Sequence, residues 1–438
     1  MDDRYTPGQS TVLHSARIDR NVILERGAGS TVWDSDGNAY LDLLSANMGP
    51  TMVGYGHPRI VEAVRRQFET LSSTRIAFDN SAQIEYCREL SELSPFPAAK
   101  TYLCPGGGEA NEAAVKLAMQ ITGRPGVVSL AGAYHGQSIG TMSLCGMPAL
   151  RDRIPPQLRM QSYRQVIPGH RYRPWNDHGP DWGESLALLE SDLEGNPDVA
   201  AFIIEPIQAV AGHMEYWPEF CVAVAGLCKR FGILLIVDEV QTAFGRCGAW
   251  WACELYGLEP DILTVGKAGG GGMPFGAVIA NAELVDDAVE REPWHLLTAQ
   301  GHPVQAAAGS AVLAVIREEG LVERSRELGE RATGALRELA DRYEAIGDVR
   351  CPGLFVGIDL VADRDTREPA TAACAGAWDH AMSLGLITEF AGRAQNVMKF
   401  KPPLTTSDGE LEQMLERAER VIRYVDERVG AARPATTA

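Results

Sequence analysis

Apolar residues along this chain follow two rhythms. Short unbroken runs recur at Thr101 to Cys104, Val127 to Ala131, Val199 to Ile204, Ile233 to Val237, Ile262 to Val265 and Phe275 to Ala280. Runs of this length, bounded by turn residues, predict buried strands of a mainly parallel sheet, because a strand covered on both faces has no need of polar alternation. Between them, apolar positions spaced three and four apart predict helices. One covers Pro58 to Leu71, with Ile60, Val61, Val64 and Phe68 facing inward; others cover Glu109 to Thr122, Pro303 to Glu319 and Leu321 to Tyr343. Thr31 to Ser45 alternates around Asp36-Gly37, the pattern of a hairpin. Met147 to Trp182 keeps neither rhythm, is rich in Pro, Arg and Tyr, and reads as a long functional loop. Gly347 to Val361 reads as a turn and a strand, and the Ala-, Pro- and Thr-rich Gly430 to Ala438 as a disordered tail. The fold class is α/β.

Ligands of open parallel sheets bind outside the carboxyl ends of the strands, so the residues that stop each run carry the candidate chemistry. Ile233 to Val237 stops at Asp238 and Glu239, with Gln241 two residues on. Ile262 to Val265 stops at Gly266 and Lys267, followed by Gly269 to Gly272. Asp238 and Lys267 then face one crevice. By spacing alone Lys267 reads equally as a solvated loop cation, Asp238 as a strand-end cap and Gln241 as a polar residue at a helix start. Val199 to Ile204 runs into Glu205-Pro206, and Val127 to Ala131 into Gly132-Ala133-Tyr134-His135-Gly136. Gly106, Gly107 and Gly108 precede the helix that starts at Glu109. Free backbone N–H groups at such a start make an anion site, although many glycine-rich helix starts are only turns.

The stretch from Ile233 to Ala280 resembles the signature of the class III aminotransferases, which bind pyridoxal 5'-phosphate in the fold type I architecture. This chain reads DEVQTAFGR, then Lys267 with its glycine run, then MPFGAVIA; the family reads DEVQTGFGRTG, a lysine, then GGGLPLGAV. The resemblance covers roughly residues 25 to 425. It implies a large domain around a seven-stranded, mainly parallel sheet (61–310) and a smaller α+β domain made from both chain ends (1–60 and 311–430), with 431–438 as the tail. It implies that Lys267 joins the cofactor as a Schiff base, that Asp238 pairs with the pyridine nitrogen, and that Gln241 lies by the phenolic oxygen. Those residue types suit the chemistry. A lysine amine joins an aldehyde and is displaced by a substrate amine, and once freed it shuttles a proton if its pKa is lowered. A buried carboxylate keeps the ring nitrogen protonated, so the ring serves as electron sink.

Further segments extend the resemblance. GGGEANEAA is similar to the family's phosphate loop SGTEANEAA, with Gly108 where the family has serine or threonine. One hydroxyl contact is therefore missing, and backbone donors at Gly107 and Gly108 carry more of the phosphate. The aromatic before His-Gly stacks on the pyridine ring in the family, which points to Tyr134; covering the sheet edge is its plain alternative. Glu205, in IIEP, gates or orients the site in the family, or is structural here. LTAQGHPV is in register with HTFGGNPLA, whose threonine reaches the phosphate in the neighbouring subunit. That makes Thr298 a partner-site residue and implies a homodimer with shared active sites.

Composition changes the picture mainly by exclusion. A net charge of −18 over 438 residues argues against nucleic-acid and anionic-membrane partners. Nine cysteines are scattered without a CxxC pair, so neither a metal site nor a disulfide framework is expected. The start MDDRYTPGQS lacks a signal-peptide pattern, and no apolar run reaches spanning length. A reduced, cytoplasmic enzyme acting on small-molecule amines and carbonyls is the expectation.

Most relatives of this kind move an amino group from an amine or amino acid to an aldehyde or ketone. An epimerase, an eliminating lyase and a decarboxylase are the alternatives, and the stretch GDVRCPGLFVGIDLVADRDTREPA looks like dialkylglycine decarboxylase. Two departures bear on the substrate. Asn47 stands where that decarboxylase has glutamine, and Lys399, in KFKPPL, stands where many members place an arginine in RxxPPL. A lysine cannot reproduce arginine's two-pronged grip on a carboxylate. At least one substrate is therefore expected to lack an α-carboxylate, an amino sugar or polyamine being examples.

Overall fold

The computed structural model describes residues 22–46, 48–173, 182–285, 289–290, 293–350 and 352–432. The chain opens on an antiparallel meander of β1 (Leu24–Ala28), β2 (Thr31–Asp34) and β3 (Ala39–Asp42). Asp34 closes the predicted hairpin: its carboxylate accepts from Asn38 N and from the Tyr40 hydroxyl, each at 2.8 Å.

The main layer is a seven-stranded sheet. Its strands are β4 (Ala99–Cys104), β5 (Gly126–Leu130), β6 (Tyr163–Val166), β7 (Val199–Ile204), then, after the two-stranded ribbon β8 (Ile207–Gln208) and β9 (Met214–Glu215), β10 (Leu234–Asp238), β11 (Ile262–Gly266) and β12 (Gly276–Asn281). They lie in the order β4-β12-β11-β10-β7-β5-β6. Only β12 runs antiparallel to its neighbours in this sheet. Every residue of β5, β7 and β11 is buried, which explains their unbroken apolar runs: both faces of the sheet are covered.

Helices α1 (Pro58–Thr70), α2 (Ser81–Leu93) and α3 (Gly107–Thr122) precede β5. The inner face of α3 is mostly small, with Ala110, Ala113, Ala114 and Ala118 buried beside Asn111, so its backbone comes close to the sheet. It stops at Gly123, whose φ of 69° is the left-handed cap that glycine adopts without strain.

The C-terminal part adds β13 (Ile346–Arg350), β14 (Val356–Asp363), β15 (Glu368–Pro369), β16 (Leu386–Ile387), β17 (Phe390–Ala391) and β18 (Val397–Phe400). These form the sheet β13-β14-β18-β17 with β15 on β14, while β16 pairs in parallel with β3. The two ends of the chain thus share one sheet. No helix among the described residues is long and apolar enough to cross a membrane.

Several expectations are corrected. In α1, Ile60 is buried, but Val61 and Phe68 are 55% and 65% exposed; a period identifies an apolar face without saying what covers it. The loop predicted from Met147 to Trp182 contains β6, an edge strand whose sequence YRQV is half-buried along its length and so lacks an apolar run. Gly347 to Val361 holds parts of two strands, β13 and β14, rather than a turn and a strand. Helix α3 begins two residues before Glu109, at Gly107. The last helix, Asp408–Ala432, carries through Gly430, Ala431 and Ala432, because Val425 and Val429 pack beneath it; residues 433–438 lie outside the described residues.

Candidate active site

Four strands of the large sheet deliver side chains to one crevice at their carboxyl ends. Asp238 ends β10, Lys267 follows β11, Glu205 follows β7, and the turn Tyr134-His135-Gly136 lies beyond β5. The start of α3 closes the crevice from the β4 side. Together they line a cavity of about 190 Å³ that includes Gly107, Gly108, Tyr134, Glu205, Asp238, Gln241 and Lys267.

Asp238 is held by three hydrogen bonds. Its Oδ2 accepts from Asn111 Nδ2 and from His135 Nδ1, both at 2.8 Å, and its Oδ1 accepts from Val240 N at 3.0 Å. Asn111 is itself fixed: Nδ2 also donates to His135 O at 2.8 Å, and Oδ1 accepts from Thr264 Oγ1 at 2.6 Å. The carboxylate is therefore held by its neighbours in one orientation.

Lys267 sits in the left-handed region, with φ 46°. A non-glycine residue there is strained, and such strain concentrates at functional positions. Burial holds its ammonium below the ordinary lysine range, against the attraction of Asp238 and Glu205; the Lys399 cation pushes the same way as burial. Glu205 accepts from Tyr134 N at 2.9 Å and Ala209 N at 3.1 Å. Burial pushes its carboxyl up to about 7, His135 opposing and Asp238 adding.

The glycines shape the anion end. A Cβ on Gly107 would lie 2.6 Å from Val240 Cγ1, and one on Gly108 3.3 Å from Gly136 Cα. Three strand-end segments therefore meet closer than side chains would permit. The first backbone N–H groups of a sixteen-residue helix face this point, with the helix dipole behind them.

Beyond the large sheet, Lys399 and Lys401 flank Phe400 near the end of β18. Lys399 Nζ donates to Glu389 Oε2 at 2.9 Å and lies 3.5 Å from Met48 Sδ; it does not line the cavity. Lys401 Nζ donates to Gln241 Oε1 at 2.8 Å. Next to these lysines, Ser45, Ala46 and Met48 all have positive φ. The turn is held by Asp42, which accepts from Leu44 N and Ala46 N, and by buried Arg246, which donates to Ser45 Oγ and Pro402 O.

The sequence-derived candidates are thus only partly gathered. Lys267, Asp238, Gln241, Glu205, Tyr134, Gly107 and Gly108 share the cavity. Thr298 is exposed and does not line the cavity of its own chain. Asn47 lies outside the described residues. Asn111, His135 and Lys401 escape the sequence reading. Asn111 is one helical turn after Gly107 and His135 adjoins Tyr134, so spacing carries a signal for both; nothing local marks Lys401 as a neighbour of Gln241.

The residues present suit a phosphorylated aldehyde cofactor. The cavity offers a helix start for a phosphate, an amine of lowered basicity for an aldehyde, and a fixed carboxylate for a ring nitrogen. The His135 ring adds a buried Nε2 without a hydrogen-bond partner among the described residues.

Comparisons with known proteins agree. The model of the family Aminotransferase class-III matches residues 14–422. The chain is 37% identical over 406 residues to the 5-aminovalerate aminotransferase DavT of Pseudomonas aeruginosa, covering 90% of this chain and 92% of that protein. It is 33% identical over 414 residues to an alanine/serine racemase of Pyrococcus horikoshii, covering 92% and 86%. Among solved structures, the omega transaminase from Pseudomonas jessenii in complex with PMP superposes with a TM-score of 0.88 at 26% identity, covering 96% of this chain and 98% of that one.

Proposed function

The chain belongs to the class III aminotransferases, whose cofactor is pyridoxal 5'-phosphate, and on that premise we propose that it transfers the amino group of an amine whose reacting carbon bears no carboxylate. The acceptor is an aldehyde or ketone. When bound, the cofactor supplies an aldehyde that joins amines covalently and a ring that takes up electrons from the bond being broken.

In this reading Lys267 holds the cofactor through its amine and afterwards moves the proton at the substrate carbon; the lowering of its basicity by burial supports both roles. Asp238 keeps a proton on the ring nitrogen, and Asn111 and His135 hold it in place to do so. Gly107 and Gly108 bind the phosphate through backbone N–H groups. Tyr134 covers the ring, Gln241 donates to the phenolic oxygen, and Glu205 orients the substrate side. Thr298 serves the partner subunit. Val61, Phe68, Phe78 and Ile84 are large apolar side chains left exposed on this chain, which supports self-association. Phe68→Glu should then shift sedimentation from dimer to monomer.

The observation that carries the substrate class is the Lys399–Glu389 pair. The ammonium that stands at the family's arginine position already has a carboxylate partner. It lacks the planar fork needed to displace that partner for a substrate carboxylate. The name of the 5-aminovalerate relative points to a substrate amine at a chain end, remote from the carboxylate, which fits. Turnover against a panel of terminal amines and α-amino acids tests this. If Lys399→Arg raised turnover of α-amino acids strongly while terminal amines stayed inert, the proposal would fail.

The racemase relative keeps a second reading in play, in which the amine is never released. An amine donor alone should bleach the visible band of the loaded aminotransferase and stop there. A racemase would exchange the substrate's α-hydrogen for solvent deuterium without that bleaching.

A further inference from the structure

Lys401 is a buried cation that the proposed chemistry does not use. Its side chain is 1% exposed, and burying an ammonium costs several kcal/mol unless it is well compensated. The acceptor it meets is an amide oxygen, Gln241 Oε1 at 2.8 Å, and the ring of Phe355 lies 5.5 Å from Nζ. The neighbouring cations do not help it. Lys399 and Lys267 add to burial in holding its ammonium well below the ordinary range, while Glu389 gives the main opposing attraction. Removing the charge would therefore relieve an electrostatic cost, so overall stability does not account for a lysine here.

Its contact does suggest a reason. A lysine ammonium has three donors and no acceptor, whereas a glutamine amide has one end of each kind. As an ammonium Lys401 holds the oxygen end of Gln241, and that is the end it meets here. With Oε1 engaged, Nε2 is the end left for the cavity, which Gln241 lines together with Lys267, Asp238 and Tyr134. Without the lysine, rotation of the amide by half a turn would exchange donor for acceptor at little cost.

We propose that Lys401 is a positioning residue: its bond to Gln241 Oε1 fixes the amide so that Nε2 donates into the cavity, selecting an anionic oxygen at that point. This rests on reading the cavity as the pyridoxal 5'-phosphate site, where the oxygen is the phenolic one.

The test is a pH titration of the visible band of the protein loaded with pyridoxal 5'-phosphate, with cofactor affinity measured alongside. Losing a hydrogen bond donated to the phenolic oxygen leaves more negative charge there and holds the adjacent proton more tightly. Lys401→Met should raise the midpoint by about one pH unit and weaken cofactor binding about tenfold. Gln241→Ala should do the same, and Lys401→Met placed on Gln241→Ala should add nothing further. Independent, additive shifts would overturn the proposal, because Lys401 would then act directly as a charge. Should Lys401→Met not fold, Lys401→Gln takes its place. A side-chain amide can bond either end of Gln241, so an intermediate rise is expected, and an unchanged midpoint overturns the proposal. A wild-type protein with no visible band at all would sink the cofactor reading instead, whereas a normal band indifferent to Lys401 sinks the positioning role alone.

Discussion

The cavity wall and the β18 segment behind Gln241 are built on opposite principles. On the large-sheet side, Asp238 is a carboxylate surrounded by donors from the segment just after β10, from α3 and from the turn after β5. On the β18 side, two lysines lie one residue apart, one paired to partly exposed Glu389 and the other holding an amide. The first is organised around one carboxylate and resists change. The second sets two like charges side by side, with Glu389 as the carboxylate that answers them. Oriented donors fix a buried charge firmly, whereas a buried ammonium paired to a partly exposed carboxylate recovers only part of its desolvation cost.

That contrast can be broken at graded cost. Lys267→Ala should lower transamination by at least about 100-fold, beyond the cost of any rim change, and abolish borohydride labelling at that position. Asp238→Asn keeps the shape but loses the charge; turnover should fall about 100-fold or more, with His135 left facing an amide. Asp238→Ala would in addition leave buried donors unpaired and cost about 3–5 kcal/mol in denaturant unfolding.

Glu205 gives a pH signature. Burial raises its folded-state pKa to about 7, from an ordinary value of 4.5. The folded protein therefore holds a proton that the unfolded chain has released. The associated stability is fully present below about pH 4.5 and is lost as pH rises through 7, on the order of 3 kcal/mol. Glu239, also raised to about 7 by burial, acts in the same direction. In the cofactor-free protein, Tm should fall from pH 5 to pH 7, and Glu205→Gln should flatten part of that slope.

Smaller effects sharpen the same contrast. Gly107→Ala would push a Cβ against Val240 and should cost about 1–3 kcal/mol, read as weaker cofactor affinity and lower Tm. Glu389→Gln would leave the buried Lys399 ammonium facing an amide and should cost about 1–3 kcal/mol in denaturant unfolding while altering which amines are accepted.

The large-sheet side was legible in the chain itself. Buried parallel strands announce themselves as apolar runs, and each run's last residue is delivered to the same edge. Strand direction brought Asp238 and Lys267 to one crevice, while Glu205, Tyr134, Gly107 and Gly108 were assigned by the likeness of their segments to the family's. β6 escaped because an edge strand needs no apolar run, and Val61 and Phe68 were misdirected because periodicity is silent about partners.

What the chain determined alone was the sheet, the crevice and the residue types that meet there, since these follow from local periodicity and from which residues interrupt it. Only the tertiary structure decided the rest: that Asn111 and His135 clasp Asp238, that Lys399 turns to Glu389, and that Lys401 reaches Gln241 across 160 positions. Contacts between distant segments depend on how layers pack, and packing distances leave no periodic trace in a sequence.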